Sequence, residues 1–146
     1  MIDDEASWVP TPEEQPGINP YALDLLALTS RAALAAIFWQ SGRTKVSGYL
    51  SVTDSAVELF KTEYRLPFID PSWAAHLAAY AEHLFPVLLV LGLFTRVTAV
   101  GMLLMTAVIQ VFVYPNAWPT HLSWAGLMLF LVLYGPGRVS IDRFIR

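Results

Sequence analysis

Long apolar runs broken by short polar turns set the pattern of this chain. Residues 21–40 (YALDLLALTSRAALAAIFWQ), 73–96 (WAAHLAAYAEHLFPVLLVLGLFTR), 97–114 (VTAVGMLLMTAVIQVFVY) and a run from 118 or 121 to 134 are mostly apolar. At about 1.5 Å rise per residue, roughly twenty residues cross the hydrocarbon core of a bilayer. The pattern therefore predicts an all-α polytopic membrane protein, a four-transmembrane-helix bundle. Pro20 suits the start of the first span, and Gly135-Pro136-Gly137 stops the fourth. Residues 53–64 are too polar to cross, but Val57, Phe60 and Tyr64 recur at helical spacing with Ala56 and Leu59 beside them, while Glu58, Lys61 and Glu63 lie elsewhere. That spacing predicts a short interfacial helix between spans one and two. Thr53 or Asp54 suits its N-cap, and Ser72 that of the second span.

Composition supports the membrane reading, since 55% of residues are hydrophobic and only 14% charged, against about 25% charged in soluble domains. A net charge of -3 without a basic tract argues against nucleic acid as a partner. The chain has no cysteine, which excludes disulfides, thiol catalysis and thiolate-held metals. A redox role would then need a diffusible or non-covalently held cofactor, or a partner protein. Residues 1–20 are acidic and rich in proline, unlike a secretory signal, and read as a solvated tail or a docking strap for a basic partner surface. Residues 21–146 form the membrane domain.

Four spans put both termini on one side. Arg96, Arg138, Arg143 and Arg146 fall on that side and Arg43, Lys45, Lys61 and Arg65 on the other, so the counts tie. The compact basic tail beside the last span favours cytoplasmic termini in a cell inner membrane.

Ionisable residues inside spans are costly and point to partners or sites. Arg31 falls about halfway along the first span and Glu82 about halfway along the second, and antiparallel neighbours would bring them together. Such a pair would fix helix register, or line a polar pocket for a headgroup, a proton or a quinone ring. Both could hold together. Asp24 suits the positive end of the first helix dipole. Pro86 removes a hydrogen bond to the Glu82 carbonyl, predicting a kink or a local water there. His76 and His83 share a helix face but lie roughly 10.5 Å apart, too far to chelate one ion. His76 with His121 is a conceivable interfacial copper or zinc site, although a membrane histidine is more often a hydrogen-bonded packing residue.

Several ordered features resemble the DoxX-like family of small four-helix membrane proteins. They are Arg31, the exit Ser41-Gly42-Arg43-Thr44-Lys45, the break Leu66-Pro67, Glu82 followed by LFPVLLVLGLFTR, and the ending Gly135-Pro136-Gly137-Arg138-Val139-Ser140-Ile141-Asp142. Together they cover about residues 25–142, and the acidic leader lies outside the family core. The resemblance implies a polar set of Arg31, Lys45, Glu82, Arg96 and Asp142; His83, next to Glu82 in the second span, joins the candidate site on its own place in the sequence. It also implies a link to quinone-dependent oxidoreductases and oxidative stress. The expectation is a membrane subunit of a redox or oxidative-stress system, holding a quinone or a lipid between helices one and two. Arg31 would bind a carbonyl or anionic oxygen and Glu82 would relay a proton. Any enzymatic role would be as a subunit of a quinone-linked oxidoreductase, with a protein partner or a second copy beside the lipid bilayer. The alternative is a non-enzymatic anchor or assembly factor that recruits a soluble partner through the leader.

Overall fold

A computed structural model of the chain describes Gly17 and residues 19–145. The acidic leader, apart from Gly17, Asn19 and Pro20, lies outside the described residues, as does Arg146. Helix α1 (Pro20–Arg43) leads to a small antiparallel hairpin, β1 (Val46–Ser47) and β2 (Ser51–Val52), pairing Val46 with Val52. Next come α2 (Asp54–Leu59), which widens into a π-helical turn at Phe60–Tyr64, and α3 (Pro71–Leu91). Helix α4 (Thr95–Val108) ends in a second π turn at Ile109–Val113. A short 3-10 turn (Pro115–Ala117) enters α5 (Trp118–Tyr134), and α6 (Asp142–Ile145) closes the chain. Four of these segments, Pro20–Arg43, Pro71–Leu91, Thr95–Val113 and Pro115–Tyr134, are long and apolar enough to span a membrane.

Local chemistry explains the boundaries. The Asn19 side chain accepts from the Tyr21 amide to cap α1, and Thr53 caps α2 through the Ala56 amide. Asp70 caps α3, accepting from the Ser72 and Trp73 amides. The cap is not Ser72, because Pro71 occupies the first helical position, where its missing N–H costs nothing. Pro86 sits buried inside an α3 that continues to Leu91. Gly92 ends α3 in the left-handed region, at φ +65°, against Ser140. A Cβ there would lie 2.6 Å from the Ser140 Cβ, so only glycine fits. No local side chain caps α4; the Asp142 carboxylate does so from the tail, accepting from the Phe94 and Thr95 amides.

The main core joins α1, α3, α4 and α5 around Leu34, Leu89, Met102, Met128 and Leu131, all fully buried. A smaller core seats α2 and its π turn on the start of α3, with Phe60 packed against Ala74 and Ala75. The bundle thus has two ends. At the terminal end the start of α1 meets the α3–α4 turn and the tail, where the Asp24 carboxylate accepts from the Arg138 amide at 2.8 Å and pairs with its guanidinium. At the hairpin end lie β1, β2, α2 and the entry to α5, with exposed Trp39, Trp73 and Trp118 forming an interfacial girdle.

Candidate functional site

The hairpin end holds a half-open cavity of about 350 Å³ between α1, α3, α4, α5 and the π turn after α2. Apolar side chains such as Ile37, Phe38, Leu77, Ala78, Leu104 and Met105 make most of its wall. Set into that wall are Ser41, Lys45, Tyr64, Glu82, Tyr114, His121 and Trp124.

Lys45 follows the end of α1 and folds back onto it, donating to the Ser41 carbonyl at 3.2 Å, where the negative end of the helix dipole favours a cation. The same ammonium donates to Glu82 Oε2 at 2.7 Å and to Ser41 Oγ at 3.1 Å, and Ser41 Oγ donates to Glu82 Oε1 at 3.2 Å. Lys45 and Glu82 are 6% and 3% exposed, so this is a buried ion pair at the edge of an apolar chamber. Close approach of α1 and α3 makes it reachable. A Cβ on Gly42 would lie 2.9 Å from the His83 ring and 3.0 Å from the Glu82 Cβ.

The expected Arg31–Glu82 pair is not formed. Arg31 donates from Nε to the Leu89 carbonyl (2.6 Å), from Nη2 to Val90 (2.8 Å), and from Nη1 to Pro136 (3.1 Å) and Val139 (2.6 Å). The reason is the axial offset of the two helices. The Glu82 Cβ lies beside Gly42 near the end of α1, whereas the Arg31 guanidinium lies beside Gly92 at the end of α3. Eleven residues of α1, about 16 Å at 1.5 Å per residue, separate the two levels. Arg31 finds the exposed carbonyls at the C-terminal end of α3, a natural cation site, and ties the tail to it.

The remaining candidates divide between the two ends. His83 is buried beside Glu82 but outside the cavity wall; its Nδ1–H donates to the Ala79 carbonyl at 2.6 Å and its ring meets Trp39 edge-on. Arg96 donates to the Leu133 carbonyl and Asp142 caps α4, both at the terminal end. Asp24, expected only to serve the helix dipole, anchors Arg138, and that bond raises the Arg138 guanidinium further above its ordinary range. The two metal candidates are engaged separately. His76 donates to the Ser72 carbonyl and packs on Tyr80, whereas His121 bonds Gln110 at 2.7 Å and packs on Trp124. Among the described residues no group of three or more His, Asp or Glu is disposed to hold a metal ion.

Ser41, Tyr64, Tyr114 and Trp124 are wall residues that sequence patterning did not single out as a site. The Tyr64 and Tyr114 hydroxyls lie 3.2 Å apart and link the two π turns across the cavity edge. Burial first, and the bond to Tyr114 next, push the Tyr64 phenol above its ordinary range, so it stays protonated. Its signal in the sequence was the Val57, Phe60, Tyr64 spacing, which marks a packed face and says nothing about a cavity.

The DoxX family model matches residues 26–115, more than half of the chain. The chain belongs to the DoxX family. With four helices fit to span a bilayer, this DoxX protein is a multi-pass membrane protein in contact with lipid. A protein of Haemophilus influenzae, described as an uncharacterized protein, is 27% identical over 130 residues, 82% of each chain. No solved structure matches the chain.

Proposed function

We propose that this DoxX protein is an inner-membrane subunit of a redox or oxidative-stress system, binding a quinone-class molecule in the cavity beside Lys45 and Glu82, with its termini on the cytoplasmic side. The observation that carries the reading is a buried ion pair on the wall of an apolar chamber. A buried pair is seldom worth more to stability than apolar side chains of the same size, and ionisable groups within membranes mark sites by default. About 350 Å³ falls within the usual range for small-ligand pockets. Phe38, Leu77, Leu104 and Met105 would receive a flat ring and an apolar tail, and the polar wall residues would orient the ring oxygens.

The test uses purified protein in lipid nanodiscs titrated with a decyl-substituted benzoquinone, following tryptophan fluorescence, to which the wall residue Trp124 contributes. The expected result is saturable quenching. Ala78→Phe, which fills the chamber, and Lys45→Met/Glu82→Met, which replaces the pair by apolar groups, should each weaken binding about tenfold. Quenching that never saturates, or that is untouched in both variants, sinks the proposal.

A further inference from the structure

We infer that the cavity selects a neutral hydrogen-bond donor, so that among quinone-class molecules it takes the reduced, hydroxyl-bearing quinol rather than the quinone. This rests on the proposed function above and narrows it through the balance of donors and acceptors on the wall.

The Lys45 ammonium has three protons, and all three are taken, by Glu82 Oε2, Ser41 Oγ and the Ser41 carbonyl. The Ser41 hydroxyl proton goes to Glu82 Oε1. The cluster therefore has no donor left to offer a ligand carbonyl. Its unused capacity lies in the carboxylate, whose two oxygens hold about four acceptor positions and, among the described residues, accept these two bonds.

A second acceptor sits on the α5 wall. The Gln110 amide group donates to the Pro115 carbonyl at 2.7 Å, which turns its Oε1 toward His121 Nδ1, also at 2.7 Å. An amide oxygen can only accept, so Nδ1 carries a proton, and a neutral imidazole with its proton there presents Nε2 as an acceptor. Against these acceptors stand two neutral donors, the one hydroxyl proton that the Tyr64–Tyr114 pair does not use internally and the Trp124 indole N–H.

Bonds to a charged acceptor are roughly twice as strong as neutral ones, so a ligand hydroxyl on Glu82 gains more than a ligand carbonyl on either neutral donor. A cationic amine would meet a carboxylate already paired with Lys45, and an anion would be repelled by it. A neutral dihydroxy-aromatic satisfies the wall best.

Three probes separate the outcomes under anaerobic equilibrium dialysis with the protein in nanodiscs: a decyl benzoquinone, its quinol, and the dimethyl ether of that quinol. The ether keeps the ring and tail but has no donor. The quinol should bind about tenfold more tightly than the other two, the worth of one charge-assisted bond. Glu82→Gln, which places an amide donor in the wall, should shrink or invert the preference, and His121→Phe should reduce it without touching the ion pair. Equal binding of all three probes by the wild type overturns the donor rule and leaves quinone-class binding standing. Binding of none overturns the functional reading, and the donor rule with it.

Discussion

Lys45 shows how much one side chain carries when its partner is buried. With Lys45→Met, Glu82 keeps its burial and loses its countercharge, an arrangement that costs about 3–5 kcal/mol in buried pairs. Lys45→Met/Glu82→Met removes both charges and should recover most of that loss, since apolar replacements of such pairs are often neutral or better. Unfolding in mixed detergent micelles checks this, and a Lys45→Met midpoint equal to wild type would show that the pair is uncoupled. The individual polar residues were legible from sequence as candidates, but their partners were not. Arg31 and Glu82 each fall halfway along their own spans, and that count alone suggested a pair. What separates them is the axial stagger of α1 against α3, which sets Glu82 beside Gly42 and Arg31 beside Gly92, an offset that a count along the chain leaves out.

At the scale of elements, the four spans were readable because a bilayer demands long apolar runs, and α2 because Val57, Phe60 and Tyr64 repeat at helical spacing. The hairpin escaped because each strand has two residues, too few to show alternation. The π turns escaped too, since one extra residue in a helical turn leaves no compositional mark. Element joints can be tested through glycine. Gly92 and Gly48 both have positive φ, but a Cβ at Gly92 strikes Ser140 while one at Gly48 meets nothing within 4 Å. Both alanine variants bear a backbone cost of about 1–2 kcal/mol. Gly92→Ala should lose a further 1–3 kcal/mol or so from the clash. Equal melting shifts for the two would mean that the tail does not press on the α3–α4 turn.

Across the whole molecule, the even number of spans and the clasp between Asp24 and Arg138 gather the start of α1 and the tail at one end. Membrane sidedness then follows from one labelling experiment, because the chain has no native cysteine to interfere. A cysteine replacing exposed Ser47 at the hairpin end should react with an impermeant maleimide on intact cells. One replacing exposed Val139 at the terminal end should react only after permeabilisation, and the reverse pattern would invert the proposed orientation.

Arg31 also carries a consequence for biosynthesis. Two of its four carbonyl acceptors, at Leu89 and Val90, emerge with the second span, but those at Pro136 and Val139 follow the fourth. The guanidinium of the first helix enters the membrane long before its full set of acceptors exists. The cage around it closes only after the fourth span has been delivered, so the native bundle is completed around all four spans and not span by span.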